Sequence, residues 1–500
     1  MIAVSIARGR HRMMIAEYRH LVENGAQLVE LRLDYLVRSV NLKRLLADRP
    51  CPVIITCRRE QDGGKWTRSE EERRMLLRSA IADGVEYVDL EEDIAAEIPR
   101  FGKTKRIISY HNFQETPENL GEIHSRCASR DADIVKIATM AHSPRDNLRV
   151  LQLIGESEIP TVALCMGDMG IPSRILQSKF GAPFTYATFH QERELAPGQL
   201  SFQQMKEIYD YDQLNPDTDV YGLIADPIGQ NLVPVVLNAA FRSLKLDKVC
   251  VPFRVPREEL ESFLGYCRQF GIRGLSVGVP HRESVVPFLT ATDRAVDHIG
   301  AANTVIIDGF DRSGYNTDFR AALESIDASL GRGGEVDVLS GKTALVLGAG
   351  GMAKAVVHAL RSRDVEVVIA SRTFQRASEL AERFRSRAVD WSGRHSQNVE
   401  IVINCTPLGM HPHVDDSPFD AEYLRRSMIV FDTVYNPEQT LLVKKAREKQ
   451  CYVITGVDMF VRQAAQQVEL FTGRTAPADE MRQAIKRMTG AARMPMRSQP

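Results

Sequence analysis

VELRLD, residues 29–34, decides the fold. Along a β-strand successive side chains point to opposite faces, so Glu30, Arg32 and Asp34 share one face and Val29, Leu31 and Leu33 the other. The same parity groups Asp89, Glu91 and Asp93 in EYVDLEED (86–93), and Ser109 with His111 in RIISYHN (106–112). Parallel strands covered on both faces read as continuously apolar. These strands instead carry polar residues towards their C-terminal ends, where barrel enzymes hold their chemistry. Working outward, the β-rich runs IAVSIA (2–7), LVELRLD (28–34), PVIITCR (52–58), DIVKIAT (133–139), PTVALCM (160–166) and PFTYATF (183–189) join the two above. Helix-favouring segments such as SEEERRMLLRSAIADG (69–84) lie between several of them. About eight such β-α units predict an α/β fold that begins with a closed (β/α)8 barrel over residues 1–210. An open doubly wound sheet is the competing layout.

The remaining residues carry a different rhythm. YDQLNPDTD (211–219) is polar, contains a proline, and reads as a linker. A substrate-binding lobe is expected over 220–325 and a nucleotide-binding lobe over 340–455, separated by the Gly- and Ser-containing stretch DASLGRGGEVDVLSG (327–341). Helical residues 456–490 are expected to return to the substrate lobe, and the tail AARMPMRSQP (491–500) to be disordered.

Composition narrows the function. Over 500 residues, 44% are hydrophobic and 26% charged, with a net charge of −1, so no basic field marks a nucleic-acid or anionic-membrane partner. No apolar run approaches the ~20 residues that span a bilayer. The opening MIAVSIARGRHRMMIAEYRH reads as a first strand and helix rather than a signal peptide. Eight cysteines lack Cys-x-x-Cys spacing and mostly sit in apolar runs, which suits reduced thiols in the cytoplasm. His411-Pro412-His413 has no third ligand cluster and reads as a loop pair, so no metal is expected. Small molecules are the expected partners, with self-association left open.

Lys136 lies in DADIVKIATM (131–140), flanked by Ile134, Val135 and Ile137. An ammonium there is costly unless it is paired, neutralised or used chemically. On the barrel layout Lys136 and His111 point inward from neighbouring strands, about 4.8 Å apart. A desolvated lysine yields a neutral amine able to attack a ketone, and the iminium formed acidifies the adjacent C–H. Histidine moves protons near neutral pH. Arg32, Arg58 and Arg174 stand at different strand ends, placed to clamp a carboxylate and hydroxyls.

ELRLD (30–34), SYHNFQETP (109–117), ADIVKIATMA (132–141), ALCMGDMGIPSR (163–174) and APGQ (196–199) resemble type I 3-dehydroquinate dehydratase. The resemblance implies that Lys136 forms the Schiff base, that His111 is the acid-base group, and that Ser5, Glu30, Arg32, Arg58, Arg174 and Gln199 contact substrate. The chain departs from that family's usual pattern at Asp62, before Gly63-Gly64, and at Leu195, before APGQ.

KTALVLGAGGMAKAVVHAL (342–360) is a strand, a glycine turn and a helix. Gly348, Gly350 and Ala353 meet the G-x-G-x-x-G/A spacing, so Gly348, Ala349, Gly350, Gly351 and Met352 are expected to face a dinucleotide. The next strand, VEVVIASRT, ends in Ser371-Arg372-Thr373, where an NAD site would place an acid. Arg372, with Arg376 in reach, suits a ribose 2′-phosphate, and NADP is the expected cofactor.

With GAANT (300–304), GYNTDF (314–319), INCTPLGM (403–410), YNPEQT (435–440) and GVDMFVRQA (456–464), this half resembles shikimate dehydrogenase. The resemblance implies substrate contacts from Asn303, Asp318 and Gln463, Tyr435 nearby, and Gly456 beside the nicotinamide. It also aligns Asn231 and Val233 with a carboxylate-binding serine pair, and Arg282 with a lysine paired to Asp318; Asp318 and Arg282 are therefore the expected catalytic pair. In tandem the two halves resemble fused shikimate-pathway enzymes that make 3-dehydroshikimate and reduce it. The alternative for the second half is an NADP-binding module with an altered, quinate-like polyol substrate or no turnover.

Overall fold

The structure is a computed structural model describing residues 1–190, 194–229, 231–330 and 339–491. The chain forms two compact units, Met1–Gly229 with Asp247–Ile272, and Gln230–Leu246 with Arg273–Pro500.

In the first unit eight parallel strands form a nearly closed barrel: β1 (Ile2–Ile6), β2 (Leu28–Arg32), β3 (Val53–Thr56), β4 (Tyr87–Glu91), β5 (Lys105–His111), β6 (Ile134–Met140), β7 (Thr161–Met166) and β8 (Thr185–Thr188). Their order is β7-β6-β5-β4-β3-β2-β1-β8. Helices α1 (His11–Glu23), α2 (Leu42–Leu46), α3 (Glu70–Ala82), α4 (Leu120–Ala128), α5 (Pro144–Glu156), α6 (Ile171–Leu176) and α7 (Phe202–Glu207) intervene. Their starts are written in the sequence. Ser69 caps α3 by accepting from Glu72 N, ahead of three acidic residues that favour a helix N-terminus. Ser143 and Asp146 form a capping box on α5, with Pro144 in its first turn.

Strand parity then sets the barrel interior. Ala3, Leu28, Ile54, Ile107, Ile134, Val162 and Phe184 pack as an apolar floor. Two residues further along the same strands stand Ser5, Glu30, Thr56, Ser109, Lys136, Leu164 and Tyr186, a predominantly polar layer. The register is staggered round the barrel: Ser5 pairs with Glu30 and Ser109 with Lys136, whereas Thr56 pairs with Arg32 and Tyr186 with Ala3. One parity expectation stops short, because β4 ends at Glu91. Asp93 lies beyond it and pairs with Arg59 at the rim.

The polar run 211–219 is anchored to the barrel. Tyr211 and Thr218 are buried, and Lys179 Nζ donates to the carbonyls of Pro216 and Thr218 at 2.8 and 2.9 Å. Beyond it come β9 (Asp219–Ala225), α8 (Val233–Ser243), β10 (Lys248–Arg254) and α9 (Leu260–Phe270). β9 and β10 pair in parallel and, with α9, belong to the first unit, whereas α8 belongs to the second.

The second unit continues with β11 (Ile272–Val277), α10 (His281–Ser284), β12 (Ala291–Thr292), α11 (Arg294–Ile299), β13 (Thr304–Asp308), β14 (Asp311–Tyr315) and α12 (Thr317–Leu330). β13 is antiparallel to both β11 and β14. Asp327–Leu330 extend α12 rather than opening a connector, and residues 331–338 of that stretch lie outside the described residues. A nucleotide-type sheet follows, with β15 (Thr343–Leu347), α13 (Gly351–Arg361), β16 (Glu366–Ser371), α14 (Phe374–Arg383), β17 (Arg387–Asp390), β18 (Ile401–Asn404), β19 (Ile429–Asp432), α15 (Leu441–Glu448) and β20 (Tyr452–Ile454). Its order, β17-β16-β15-β18-β19-β20, all parallel, is that of a dinucleotide-binding Rossmann sheet. Alternation buries both faces: Ala344 and Val346 join one core, Leu345 and Leu347 the other. Helices α16 (Gly456–Thr472) and α17 (Ala478–Ala491) close the chain, and the tail 492–500 lies outside the described residues. No described helix is long and apolar enough to cross a membrane.

Candidate active sites

Within the barrel, β6 carries Lys136 and β5 carries His111 into one charged cluster. Lys136 Nζ lies 2.8 Å from Asp89 Oδ2, 3.8 Å from Glu30 Oε1 and 4.0 Å above the Tyr186 ring. The amine is therefore ion-paired, one of the ways the sequence leaves open for a lysine in an apolar run. Asp89 Oδ1 accepts from Arg58 Nη2 at 2.7 Å and from Ser109 Oγ at 2.6 Å. Burial pushes the Asp89 carboxyl up, but Arg58 and Lys136 outweigh it and hold the group well below the usual carboxylate range.

Arg58 Nη1 also lies 3.2 Å from Glu91 Oε1, from Ser109 Oγ and from His111 Nδ1. A guanidinium only donates, so Nδ1 accepts and the His111 proton resides on Nε2. Burial, then the charges of Arg58 and Lys136, push the His111 imidazole well below its ordinary value. That shift favours the neutral imidazole.

Glu30 accepts from Ser5 Oγ and, at 2.7 Å, from Thr56 Oγ1. Arg32 is held by Asp34 through two bonds of 2.9 and 2.8 Å, leaving its Nη1 unengaged among the described residues. Gln199 Oε1 accepts from Leu195 N at 3.1 Å. Arg174 differs from the other two arginines. It is 2% exposed, its Nη2 reaches only Pro197 O at 3.3 Å, and its Nε has no partner among the described residues. Burial pushes its guanidinium down to about 10. A buried cation with unused donors is chemically suited to a carboxylate.

The second unit holds another ion pair, between a half-buried arginine and a buried aspartate. Arg282 Nη1, from α10, donates to Asp318 Oδ2 in the first turn of α12 at 2.6 Å, and Arg282 Nε donates to Val277 O. Asp318 is 1% exposed, and its Oδ1 has no partner among the described residues. Asn303 Nδ2 and Gln463 Nε2 both donate to Thr317 Oγ1, at 3.0 and 3.3 Å, so these residues form one cluster beside Asp318. Tyr435 stacks on Phe460 at 4.2 Å, with its phenol pushed up to about 12 by burial. Asn231 accepts from Val233 N at 3.0 Å, closing the turn that enters α8.

The glycine turn fits a dinucleotide. Gly348 has φ +114°, and a Cβ there would lie 2.8 Å from Cys405 O. Gly350 caps α13, whose first turn begins Gly351-Met352, while Ala349 and Ala353 are buried beneath it. Exposed backbone N–H groups and the helix dipole at that end suit a pyrophosphate. Ser371 ends β16, and the exposed Arg372 and Arg376 flank Thr373 with no acidic partner among the described residues. Gly456 begins α16 so close to β19 that a Cβ would lie 2.2 Å from Val434 O.

Sequence reasoning singled out neither Tyr186 nor Thr317. Tyr186 sits in a run read only as a strand and Thr317 in a motif read for Asp318, and only the folded barrel shows the Tyr186 ring against Lys136. The His411 and His413 pair stands in a loop, where His413 Nδ1 contacts Asp416.

A parallel barrel with a buried lysine–histidine cluster, followed by a Rossmann-type oxidoreductase module, is a class of fused two-site enzyme. Residues 2–216 match the sequence profile described as type I 3-dehydroquinase. Residues 223–305 match the shikimate dehydrogenase substrate binding domain, 334–434 shikimate/quinate 5-dehydrogenase, and 456–486 the shikimate 5′-dehydrogenase C-terminal domain. A bifunctional 3-dehydroquinate dehydratase/shikimate dehydrogenase of Arabidopsis thaliana, described as chloroplastic, is 36% identical over 93% of this chain and 81% of its own length. A shikimate dehydrogenase (NADP(+)) of Methanothermobacter thermautotrophicus is 34% identical, covering 54% of this chain and 97% of its own. A solved shikimate dehydrogenase in complex with NADP+ superposes with a TM-score of 0.52 at 32% identity, covering 55% of this chain and 97% of that one. The chain belongs to the bifunctional 3-dehydroquinate dehydratase/shikimate dehydrogenase family.

The neutral state of His111 is directly measurable. With histidine labelled at Cε1 and the resonance assigned through His111→Asn, its titration midpoint is expected below 6.5, because burial and two neighbouring cations oppose protonation. A midpoint at or above 6.5 would show that the carboxylates around it dominate instead.

Proposed function

We propose that the chain dehydrates 3-dehydroquinate to 3-dehydroshikimate in the barrel, through an imine on Lys136, and reduces 3-dehydroshikimate to shikimate with NADPH in the second unit. The observation that carries this reading is the barrel cluster, a buried lysine paired to Asp89 beside a histidine whose pKa is lowered; Arg174, buried with an unpartnered Nε, adds a donor suited to an anion. Arg174 is suited to the substrate carboxylate, with Gln199 beside it and Arg32, Glu30 and Ser5 towards the ring hydroxyls. Arg58 orients His111 and Asp89 rather than clamping ligand, since both its terminal nitrogens are engaged.

In this scheme Lys136 loses a proton and its nitrogen attacks the ring ketone, and water leaves to give the iminium. The iminium draws electrons from the adjacent C–H bond, and His111 takes that proton. The C–H pair forms the new C=C bond as the neighbouring hydroxyl departs as water, carrying the proton His111 returns. Hydrolysis of the iminium restores Lys136.

In the second unit Asp318 Oδ1 is suited to accept from a substrate hydroxyl, while Asn303, Gln463, Tyr435 and Asn231 bound the ring. Bound NADPH supplies the hydride. Arg282 cannot give up its proton at any working pH, so its part is to hold the developing alkoxide, which water protonates. Gly348–Met352 and Gly456 would cradle the dinucleotide, and Ser371, Arg372, Thr373 and Arg376 the 2′-phosphate. All eight cysteines are free thiols, which supports a reducing cytoplasm as the working compartment.

Borohydride with 3-dehydroquinate is expected to inactivate the dehydratase and leave a mass adduct on Lys136. An adduct on another residue, or full activity in Lys136→Ala, contradicts the reading. His111→Ala should still form the imine while kcat falls by ~10²–10⁴-fold, the usual share of proton transfer.

Arg372→Asp removes a charge-assisted partner of the 2′-phosphate and adds repulsion, so cofactor preference should move from NADP towards NAD. Unchanged NADP affinity by titration calorimetry would place the 2′-phosphate on other residues.

A further inference from the structure

The Tyr186 hydroxyl has no role in the scheme above, yet it stands inside the site. Its side chain is 4% exposed, and its Oη is buried with no hydrogen-bond partner among the described residues. Leaving such a hydroxyl unpaired costs about 1–3 kcal/mol, so a partner that arrives with the ligand is the economical explanation. The ring lies 4.0 Å beneath Lys136 Nζ, in the polar layer of the barrel interior, with the charges of Glu30 and Asp89 acting on its phenol.

The chemistry of that layer narrows what the partner is. A carbonyl oxygen brought to the carbon that Lys136 attacks enters a space bounded by Glu30 and Asp89. Ionised carboxylates only accept hydrogen bonds, so they repel an oxygen gaining negative charge. Ser5 and Thr56 donate to Glu30, and Ser109 donates to Asp89, so those hydroxyl protons are engaged. Tyr186 Oη is the remaining uncharged donor in the layer. Burial, with Glu30 and Asp89 nearby, pushes the phenol well above its ordinary value, which keeps that proton in place at working pH.

We propose that Tyr186 is a further substrate-contacting residue of the dehydratase site, its hydroxyl donating to the oxygen on the carbon that Lys136 attacks. As the C–N bond forms, the π pair of the C=O bond moves onto oxygen, and the Tyr186 hydrogen bond stabilises that oxygen. The proton lost from nitrogen then passes to it, giving the neutral carbinolamine, with Tyr186 unchanged. The ring beneath Nζ also faces the cationic nitrogen of the iminium, a cation–π contact that persists through the reaction. This inference rests on the imine reading of Lys136.

Tyr186→Phe in the full chain keeps the ring and deletes only the hydroxyl. Rapid-quench trapping with 3-dehydroquinate and borohydride should show imine formation on Lys136 slowed by on the order of 10²-fold, as for loss of one oxyanion donor. The thermal midpoint should hold or rise, because an unpaired buried hydroxyl has been removed. Tyr186→Leu should lose the hydroxyl and the cation–π contact together and be slower still. Equal trapping rates in wild type and Tyr186→Phe, whatever the midpoint, overturn the contact while leaving the imine intact. No Lys136 adduct in wild type overturns the imine reading and this contact with it.

Discussion

Inside the barrel the Asp89 carboxylate receives Lys136 on one oxygen and Arg58 with Ser109 on the other, all within 2.8 Å. Remove that carboxylate and a buried ammonium and a buried guanidinium lose their main partner, at a cost of about 3–5 kcal/mol for a broken buried pair. Because Arg58 also holds His111 Nδ1, the same carboxylate fixes the histidine's position through one intermediary. The apolar floor below, from Ala3 to Phe184, packs against the base of this network and lowers the local dielectric. Electrostatics and packing thus select the same geometry: charges can be buried here only if they are paired, and pairing orients them.

The second unit repeats the principle with fewer groups. Arg282 and Asp318 satisfy each other on one carboxylate oxygen and leave the other buried and open. Gly351 lies against this pair, since a Cβ there would come 3.3 Å from Arg282 Cδ. The first residue of the helix facing the dinucleotide and the side chain paired to Asp318 are therefore neighbours.

Much of this was legible in the sequence because strand parity is strict. Eight runs became eight barrel strands, and Glu30, Lys136 and His111 were placed inward from alternation alone. The glycine turn was equally readable, since the spacing Gly348, Gly350, Ala353 follows from steric needs local to the motif. What escaped notice depended on contacts between distant segments. Asp89 as the partner of Lys136 spans three strands, and Tyr186 reads as an ordinary apolar strand residue until the folded barrel sets its ring against Lys136 Nζ. The polar run 211–219 resembles a linker by composition, yet Tyr211 and Thr218 bury themselves against the barrel. By spatial grouping β9, β10 and α9 fall with the first compact unit and α8 with the second, a division that composition does not display.

The central claim is that one chain performs two consecutive reactions at two separately built sites. The most direct measurement supplies purified full-length protein with 3-dehydroquinate and NADPH, and quantifies shikimate against NADP+ as the reaction proceeds. The expected result is shikimate and NADP+ in equal amounts, preceded by 3-dehydroshikimate. Accumulation of 3-dehydroshikimate with no oxidation of NADPH would contradict the claim, leaving an active dehydratase joined to a module that only binds the dinucleotide or acts on another polyol.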